Sequence, residues 1–255
     1  MMLEIRNIHF EYGNRSVLED MNLSVGEGEV LSLAGPNGSG KTTLLRCIGG
    51  ILRPRCGNIL LDGVDIGKMN RRELARRLSY VPQNTTLPLP LTVFDTVLLG
   101  RIPHMKWKIT DRDKDKAYEI LQSMKLEALA FCLLNEISGG ERQKVFIARA
   151  ISQEPQVMIL DEPTSNLDLR CQLEVLNLIS NLAKERGICV VMAMHDLNLA
   201  ARYSTRMAMM KDGRIHAAGT PDSLFDRDIL REVYGVEAEV RNDSACPYVV
   251  PIAPV

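Results

Sequence analysis

Residues 35–42 constrain the fold of this chain more than any other segment, because their letters, GPNGSGKT, fit the pattern G-x-x-x-x-G-K-[ST]. An apolar run, Val30–Ala34, comes directly before the segment, and a helical pattern, residues 43–48, comes directly after it. Glycines allow consecutive backbone N–H groups to converge without clashes from Cβ atoms, and a helix N-terminus carries partial positive charge. The segment therefore predicts a strand, a loop that surrounds phosphate oxygens, and a helix.

A loop of this kind binds the phosphates of a nucleoside triphosphate. We expect the Lys41 ammonium to contact the β- and γ-phosphates, and the Thr42 hydroxyl to ligate the Mg²⁺ that accompanies ATP. The residues of the loop expected to bind the nucleotide are Gly35, Pro36, Asn37, Gly38, Ser39, Gly40, Lys41, Thr42 and Thr43. A glycine-rich turn that happens to contain lysine is the alternative, and the flanking strand and helix patterns disfavour it.

The composition restricts the possible partners. The chain has 255 residues, of which 31 are basic and 32 acidic, so its formal charge of −1 gives no reason to expect nucleic-acid binding. The longest apolar run, residues 188–194, is too short to span a bilayer, and the N-terminus does not resemble a signal peptide. The six cysteines are scattered, which favours a reducing cytoplasm, with a disulfide or zinc site as the alternative.

The pattern of apolar residues predicts one α/β domain over residues 1–255. Residues 157–160 and 188–194 are apolar throughout, as in strands of a mainly parallel sheet that is buried on both faces. The first thirty residues alternate between apolar and polar, which predicts an N-terminal antiparallel β subdomain. Residues from about 84 to 153 are interpreted as an inserted helical subdomain, and those from about 242 to 255, with three prolines, as a loose C-terminal tail.

A second motif, Asp161-Glu162, directly follows a predicted buried strand. A carboxylate at the end of that strand would lie beside the Mg²⁺ held by Thr42. Glu162 would then lie at the mouth of the site, where it can polarise an attacking water. An Asp-Glu pair alone is more often a turn at a strand end, but the upstream phosphate loop favours the catalytic interpretation.

The third motif is residues 137–141, ISGGE, just before a predicted helix. Ser138 is a favourable N-cap, and Gly139 and Gly140 leave backbone N–H groups open to an anion. A helix that is capped in the ordinary way is the alternative.

Taken together, the motifs stand in the order found in ABC-type ATPases, and the chain resembles that family of P-loop NTPases over nearly its whole length. The matched segments are residues 35–42, Gln83, residues 137–141, residues 161–162, residues 165–168 and His195. The third of these departs from the commonest form of the family signature, L-S-G-G-Q, because Ile137 and Glu141 replace its ends. Its Ser-Gly-Gly centre is intact.

The resemblance implies a head-to-tail homodimer with two ATP molecules at the interface. Each ATP would contact the phosphate loop of one subunit and Ser138, Gly139 and Gly140 of the other, with Asp168 also among the nucleotide contacts. No arginine finger is evident, so the second helix N-terminus would help to neutralise the γ-phosphate.

The resemblance also implies four catalytic residues, Lys41, Gln83, Glu162 and His195, and three metal ligands, Thr42, Gln83 and Asp161. Gln83 would contact Mg²⁺ or the attacking water, and His195 would contact the γ-phosphate. Tyr12 matches the aromatic that stacks on adenine in this family. The alternatives are a surface glutamine, a histidine that caps a strand end, and an exposed strand tyrosine.

Residues 91–104 are similar to a segment of importers for ferric siderophores, haem and vitamin B12, although Ile102 replaces an aromatic, and residues 234–240 are also similar to that group. This implies an ATPase subunit that is cytoplasmic and peripheral on the inner face of the cell membrane. It would dock on an integral-membrane permease and energise uptake of an iron chelate or cobalamin delivered by an extracellular substrate-binding protein. Packing within the helical subdomain is an equally good interpretation of residues 91–104.

A soluble ABC-type ATPase in iron–sulfur assembly, or in another non-transport role, is the alternative function. The chain has neither the long coiled-coil insertion nor the tandem copies that mark several such proteins. Glu162 and His195 disfavour a nucleotide switch that never hydrolyses ATP. The basic run Arg71–Arg77 is interpreted as a solvated helix face rather than a lipid or nucleic-acid patch.

Overall fold

The computed structural model describes residues 2–83, 89–242 and 246–255, and it has three sheets. The strands are β1 (Leu3–Tyr12), β2 (Arg15–Val25), β3 (Val30–Ala34), β4 (Cys56–Leu61), β5 (Val64–Asp65), β6 (Leu78–Val81), β7 (Val157–Asp161), β8 (Cys189–Ala193), β9 (Arg206–Lys211), β10 (Arg214–Gly219), β11 (Val236–Asn242) and β12 (Pro247–Pro254). The helices are α1 (Lys41–Ile48), α2 (Arg71–Arg77), α3 (Val93–Leu98), α4 (Asp111–Ser123), α5 (Gly139–Ser152), α6 (Leu169–Arg186), α7 (Leu197–Tyr203), α8 (Pro221–Leu224) and α9 (Arg227–Tyr234).

The central sheet has the strand order β10-β9-β3-β8-β7-β6, and all its neighbours are parallel except the β9–β10 pair. Every residue of β3, β7 and β8 is buried, as the continuous apolar runs predicted. Alternate residues of these strands belong to two separate cores. Leu31 and Leu33, for example, pack with α1 and the antiparallel sheet, whereas Met158 and Leu160 pack with the helices on the other face.

The N-terminal sheet is antiparallel, with the order β2-β1-β4-β5, as predicted. Its apolar side chains share one core with α1, so this sheet fixes the helix that follows the phosphate loop. Since β3, β8 and β7 are adjacent and parallel, the segments that follow them emerge at one edge of the sheet, where ligands of α/β proteins bind.

The helical block between β6 and β7 contains α3, α4 and α5, which contact one another. Residues 84–88, where the predicted insertion begins, lie outside the described residues. Gly100 lies just after α3, and a Cβ there would be 2.2 Å from the carbonyl oxygen of Arg149. A glycine at this position therefore lets the turn after α3 approach the backbone of α5 closely.

The prediction of a loose tail over residues 242–255 is wrong for residues 247–254. These residues form β12, which pairs with β11 from Asn242↔Pro247 to Val236↔Pro254. Val249 is 5% exposed within the core, and its backbone exchanges hydrogen bonds with the Asn198 side chain of α7. The three prolines favoured a loop over a strand when the sequence was considered alone. They are tolerated in β12 because both strands of a two-stranded sheet are edge strands.

Candidate functional site

The loop of residues 35–40 joins β3 to α1 and requires glycine at two of its positions. Gly35 has a φ of +149° and Gly40 a φ of +101°, values that L side chains rarely adopt. A Cβ on Gly35 would lie 2.2 Å from the carbonyl oxygen of Met210, and one on Gly40 would lie 2.8 Å from Leu18 Cδ2. The Ser39 hydroxyl is buried and has no hydrogen-bond partner among the described residues. The loop therefore has the compact backbone and the unused polar group of an anion-binding turn.

Lys41 is the first residue of α1 and is only 6% exposed. Its Nζ donates hydrogen bonds to the carbonyl oxygens of Gly35 (2.7 Å) and Pro36 (2.9 Å), so the loop backbone holds the ammonium. Burial lowers the pKa of Lys41, while the charges of Glu162 and Asp161 oppose that shift. The ammonium is thus fixed beside the loop, close to two carboxylates.

Asp161 ends β7 and is 2% exposed. The Thr42 hydroxyl donates to Asp161 Oδ1 (2.9 Å), and the Tyr80 hydroxyl donates to Asp161 Oδ2 (3.1 Å). Burial is the main reason that the pKa of Tyr80 rises to about 12, so this hydroxyl remains a donor. A hydroxyl and a carboxylate at hydrogen-bond distance are the oxygen donors that Mg²⁺ uses when nucleotide phosphates supply its other ligands. Among the described residues, no group of three or more His, Cys, Asp or Glu could hold a metal by itself.

Glu162 lies one residue beyond the end of β7, with a φ of +52°. Gln83 Nε2 donates to Glu162 Oε2, and His195 Nε2 is paired with Glu162 Oε1. The Glu162 side chain is 12% exposed, whereas that of His195 is 47% exposed. Three residues predicted to be catalytic, from separate segments of the chain, are therefore in direct contact at the edge of the sheet.

Lys41, Glu162 and His195 border an open pocket of about 390 Å³. Its lining consists of Tyr12, Arg15, Val17, Asn37, Gly38, Gly40, Lys41, Thr42, Thr43, Glu162 and His195. Tyr12 is 47% exposed and its ring makes an edge-to-face contact with Phe10, which leaves a ring face for stacking. The structure therefore brings Tyr12 and most of the predicted residues of the phosphate loop to one cavity.

Sequence reasoning missed four residues of this site, which are Arg15, Val17, Arg46 and Tyr80. Arg15 and Val17 line the pocket, and Arg15 pairs with Tyr12 across the turn between β1 and β2. Arg46 makes side-chain hydrogen bonds to Tyr80 and Tyr12, and the bond to Tyr80 is the main cause of its raised pKa. The hairpin between residues 12 and 15 is the signal that could have identified Arg15, because opposite residues of a tight hairpin share a face.

Ser138 caps α5 and forms a capping box with Glu141. Glu141 N donates to Ser138 Oγ (3.3 Å), while Ser138 N donates to Glu141 Oε2 (2.9 Å). The Ser138 hydroxyl also donates to this carboxylate, and it is the main cause of the lowered pKa of Glu141. Glu141, where the family signature usually has glutamine, therefore stabilises the start of the helix.

Ser138 and Gly139 are exposed, and neither they nor Gly140 belong to the described lining of the pocket. Asp168 is also absent from that lining. Its carboxylate caps α6 by accepting a hydrogen bond from Cys171 N (2.7 Å), which is the main cause of its lowered pKa. Within one chain, the predicted nucleotide contacts thus form two separate groups.

The turn after α3 contains a buried ion-pair network. Arg101, with its side chain 5% exposed, bonds to Asp113 (3.4 Å), Ser152 O (2.7 Å) and Glu154 (2.9 Å). Burial alone would raise the pKa of Glu154, but hydrogen bonds from Lys116 and Arg101 lower it to about 2. These bonds tie Arg101 to the neighbouring helices, which supports a packing role for this residue within the helical subdomain. The side chain of Ile102, in contrast, is 55% exposed.

Comparison with known proteins shows which family this sequence belongs to. The family model described as "ABC transporter" matches residues 18–165. This chain belongs to the ABC transporter family. The predicted family and the P-loop fold are therefore confirmed.

Two relatives match almost end to end. An uncharacterized ABC transporter ATP-binding protein of Methanocaldococcus jannaschii is 47% identical, over 99% of this chain and 98% of its own length. The petrobactin import ATP-binding protein FpuC of Bacillus anthracis is 36% identical, over 98% of this chain and 93% of its own length.

Two solved structures are similarly close. One is an inward-facing ABC transporter described as of metal-chelate type, with a TM-score of 0.85, 28% identity, and coverage of 98% of this chain and 97% of that one. The other is a dimeric ATP-binding cassette in a post-hydrolysis state with ADP and Pi, with a TM-score of 0.76, 31% identity, and coverage of 86% of this chain and 99% of that one. In the described part of our chain, no helix has the length and apolarity needed to cross a bilayer.

Proposed function

We propose that this chain is the ATP-hydrolysing subunit of an ABC importer, and that it works as a homodimer docked on a membrane permease. The position of Glu162 is the observation that supports ATP hydrolysis. Its carboxylate is held between Gln83 and His195, at the mouth of a pocket whose inner wall is the phosphate loop.

Each residue of the site has a role in this proposal. Lys41 and the loop N–H groups bind the β- and γ-phosphates, and Tyr12 stacks on adenine. Thr42 and Asp161, with Gln83, would hold Mg²⁺, and this ion would neutralise phosphate charge. Glu162 accepts a proton from the attacking water, and His195 contacts the γ-phosphate and positions the Glu162 carboxylate.

The second group of nucleotide contacts comes from the other subunit. Ser138 and Gly139 are exposed at the start of α5, away from the pocket of their own chain, where a helix N-terminus offers partial positive charge. A head-to-tail dimer would place this helix start, with Asp168, over the phosphates held by the partner's loop. The dimeric cassette with ADP and Pi, 31% identical to this chain, supports this arrangement.

The proposed cargo is an iron chelate, with cobalamin as the alternative, delivered by an extracellular binding protein. The relative named for petrobactin import and the structure described as metal-chelate type support this choice. The chain itself would remain in the cytoplasm, peripheral on the inner face of the membrane through its permease.

Two substitutions, one isosteric and one truncating, test the proposal that this chain hydrolyses ATP. Glu162→Gln keeps the shape of the side chain but removes the base, so turnover should fall by about 10²–10⁴-fold with ATP affinity preserved. Lys41→Ala should instead lose ATP binding. A Glu162→Gln protein with full turnover would refute the role of Glu162.

Purification from membranes tests the transport part. Co-purification of the tagged chain with a polytopic membrane protein, and ATPase stimulated by an iron chelate in the reconstituted complex, are the expected results. Recovery with soluble iron–sulfur assembly proteins alone would favour the non-transport function.

A further inference from the structure

A second, larger surface cavity of about 610 Å³ lies between α2 and the segment that joins the turn after α3 to α4. We name residues 106–109 (Lys106, Trp107, Lys108 and Ile109) the tryptophan loop. The loop forms one wall of this cavity, and Arg71 and Arg72 of α2 form the facing wall. We propose that the tryptophan loop and these two arginines bind an anionic phospholipid surface.

The first observation is the exposure of the loop's apolar side chains. Trp107 is 99% exposed, so its ring extends into solvent and is not a wall of a closed pocket. Ile109 beside it is 47% exposed, and Ile102 at the edge of the cavity is 55% exposed. Tryptophan is enriched at the interface between membrane and water, because its ring is apolar and its N–H finds polar partners there.

The second observation is the charge around Trp107. Arg71, Lys106 and Lys108 make no ion pair and no side-chain hydrogen bond with any residue in the described ranges. Arg72 Nε donates to the carbonyl oxygen of Pro103 (2.9 Å), which ties α2 to the segment before the loop without neutralising the arginine. Among the residues that the structure describes, the cavity is lined by four cations and by no acidic residue.

Three acidic residues on adjoining elements make contacts of their own, whereas Asp115 and Glu119 of α4 are exposed and form no ion pair among the described residues. Asp111, at the start of α4, pairs with Lys114, and Asp113 pairs with the buried Arg101. Glu73 of α2 is bonded to the N-cap Asn70. The positive charge is thus local, in a chain whose formal charge is −1, and it complements an anionic partner.

The protruding ring distinguishes a membrane from an acidic protein segment. A protein segment lying in the cavity would cover its walls, whereas an exposed tryptophan between two lysines can enter a layer of head groups while the lysines remain at the phosphates. The proposal rests on the proposed function in one respect. If residues 91–104 dock on a permease, the adjoining tryptophan loop lies on the side of the molecule that faces the bilayer. In this proposal Arg71 and Arg72 of α2 contribute to lipid binding together with the tryptophan loop, instead of forming only a solvated helix face.

The fluorescence of Trp107 tests the proposal directly, because it is the only tryptophan in the chain. The purified full-length chain is titrated with vesicles of phosphatidylcholine alone, and with vesicles containing phosphatidylglycerol. We expect a blue shift and protection from acrylamide quenching with the anionic vesicles only, both reversed in high salt.

Paired variants show which charges matter while keeping the reporter. Lys106→Gln with Lys108→Gln should weaken vesicle binding by about twentyfold or more, since one lysine near an anionic surface changes partitioning by about fivefold. The matched control, Lys184→Gln with Arg186→Gln, removes the same charge from the last turn of α6 and should bind like the unmodified chain.

An unchanged emission spectrum with anionic vesicles would overturn the proposal, as would equal binding to both vesicle types. Protection of Trp107 that requires a permease in neutral membranes would also overturn it, because the occupant would then be protein. ATP-dependent dimerisation, measured separately, is expected to be unchanged in Lys106→Gln with Lys108→Gln. An unmodified chain that dimerises with ATP but does not bind anionic vesicles would therefore contradict this inference and not the proposed ATPase.

Discussion

Substitution of Gly139 separates the stability of one chain from the assembly of two. Gly139 is the first residue of α5 and does not have a positive φ, and a Cβ at this position would meet no atom within 4 Å. Alanine forms helices better than glycine and restricts the unfolded chain, so Gly139→Ala should raise the free energy of unfolding by about 0.4–1 kcal/mol. In the proposed dimer, however, this Cβ would lie between the helix N-terminus and the partner's γ-phosphate.

We therefore expect Gly139→Ala to be more stable as a monomer but at least about tenfold weaker in ATP-dependent dimerisation, a loss of about 1.4 kcal/mol. Urea unfolding measures the first effect, and light scattering with ATP in a Glu162→Gln background measures the second. Gly140→Ala is the matched control, because a Cβ there would lie 2.5 Å from Cys171 Sγ and should destabilise the chain itself. A Gly139→Ala protein that dimerises and turns over normally would refute the role of the α5 N-terminus. A Gly139→Ala monomer that is less stable than the unmodified chain would contradict the open space around Gly139.

Three further substitutions test other parts of the structure. Tyr80→Phe leaves one oxygen of the buried Asp161 carboxylate without its donor, so urea unfolding should show a loss of about 1–3 kcal/mol, and unchanged stability would contradict the hydrogen bond. Glu154→Gln should lower stability by about 1 kcal/mol at pH 7, a value reduced for the solvent exposure of this side chain. The pKa of Glu154 falls from 4.5 to about 2 on folding, so the variant and the unmodified chain should become closer in free energy of unfolding as pH drops from 5 towards 2. A difference in free energy of unfolding that did not change with pH would contradict this ion pair. Gly100→Ala places a Cβ 2.2 Å from the Arg149 carbonyl oxygen, so its thermal midpoint should fall, with a cost of about 1–3 kcal/mol, and an unchanged midpoint would exclude that close contact.

Local patterns predicted the central sheet, because each of its key elements carries its own signal. The continuous apolar runs of β7 and β8 and the glycine loop after β3 identify their structures without knowledge of their neighbours. The contact of Gln83 and His195 with Glu162 depends instead on three segments that meet at one sheet edge. The family resemblance predicted that all three residues lie at the ATP site, but neither it nor any local pattern predicted that they contact one another.

The remaining features depend on tertiary partners that a single segment does not reveal. β12 was missed because its partner, β11, and its packing against Asn198 are absent from its own sequence pattern. Arg46 lies on the exposed side of α1, where an arginine is ordinary, and only the fold brings it to Tyr80 and Tyr12. The basic run of α2 was likewise interpreted without the tryptophan loop that faces it.

A mixture of two variants that are inactive alone shows whether each ATP site is built from two chains. In a Glu162→Gln background, one protomer carries Lys41→Ala and cannot bind ATP, while the other carries Gly139→Ala and covers the partner's ATP at least about tenfold more weakly. The protein concentration is kept below the level at which Gly139→Ala would dimerise with itself. Only a mixed dimer has one intact phosphate loop facing one intact α5 N-terminus. We expect scattering and filter retention to detect dimers with one bound ATP in the mixture, and to detect none with either variant alone. A mixture that contains only lone protomers, or a Gly139→Ala protein that retains ATP in dimers by itself, would contradict the account.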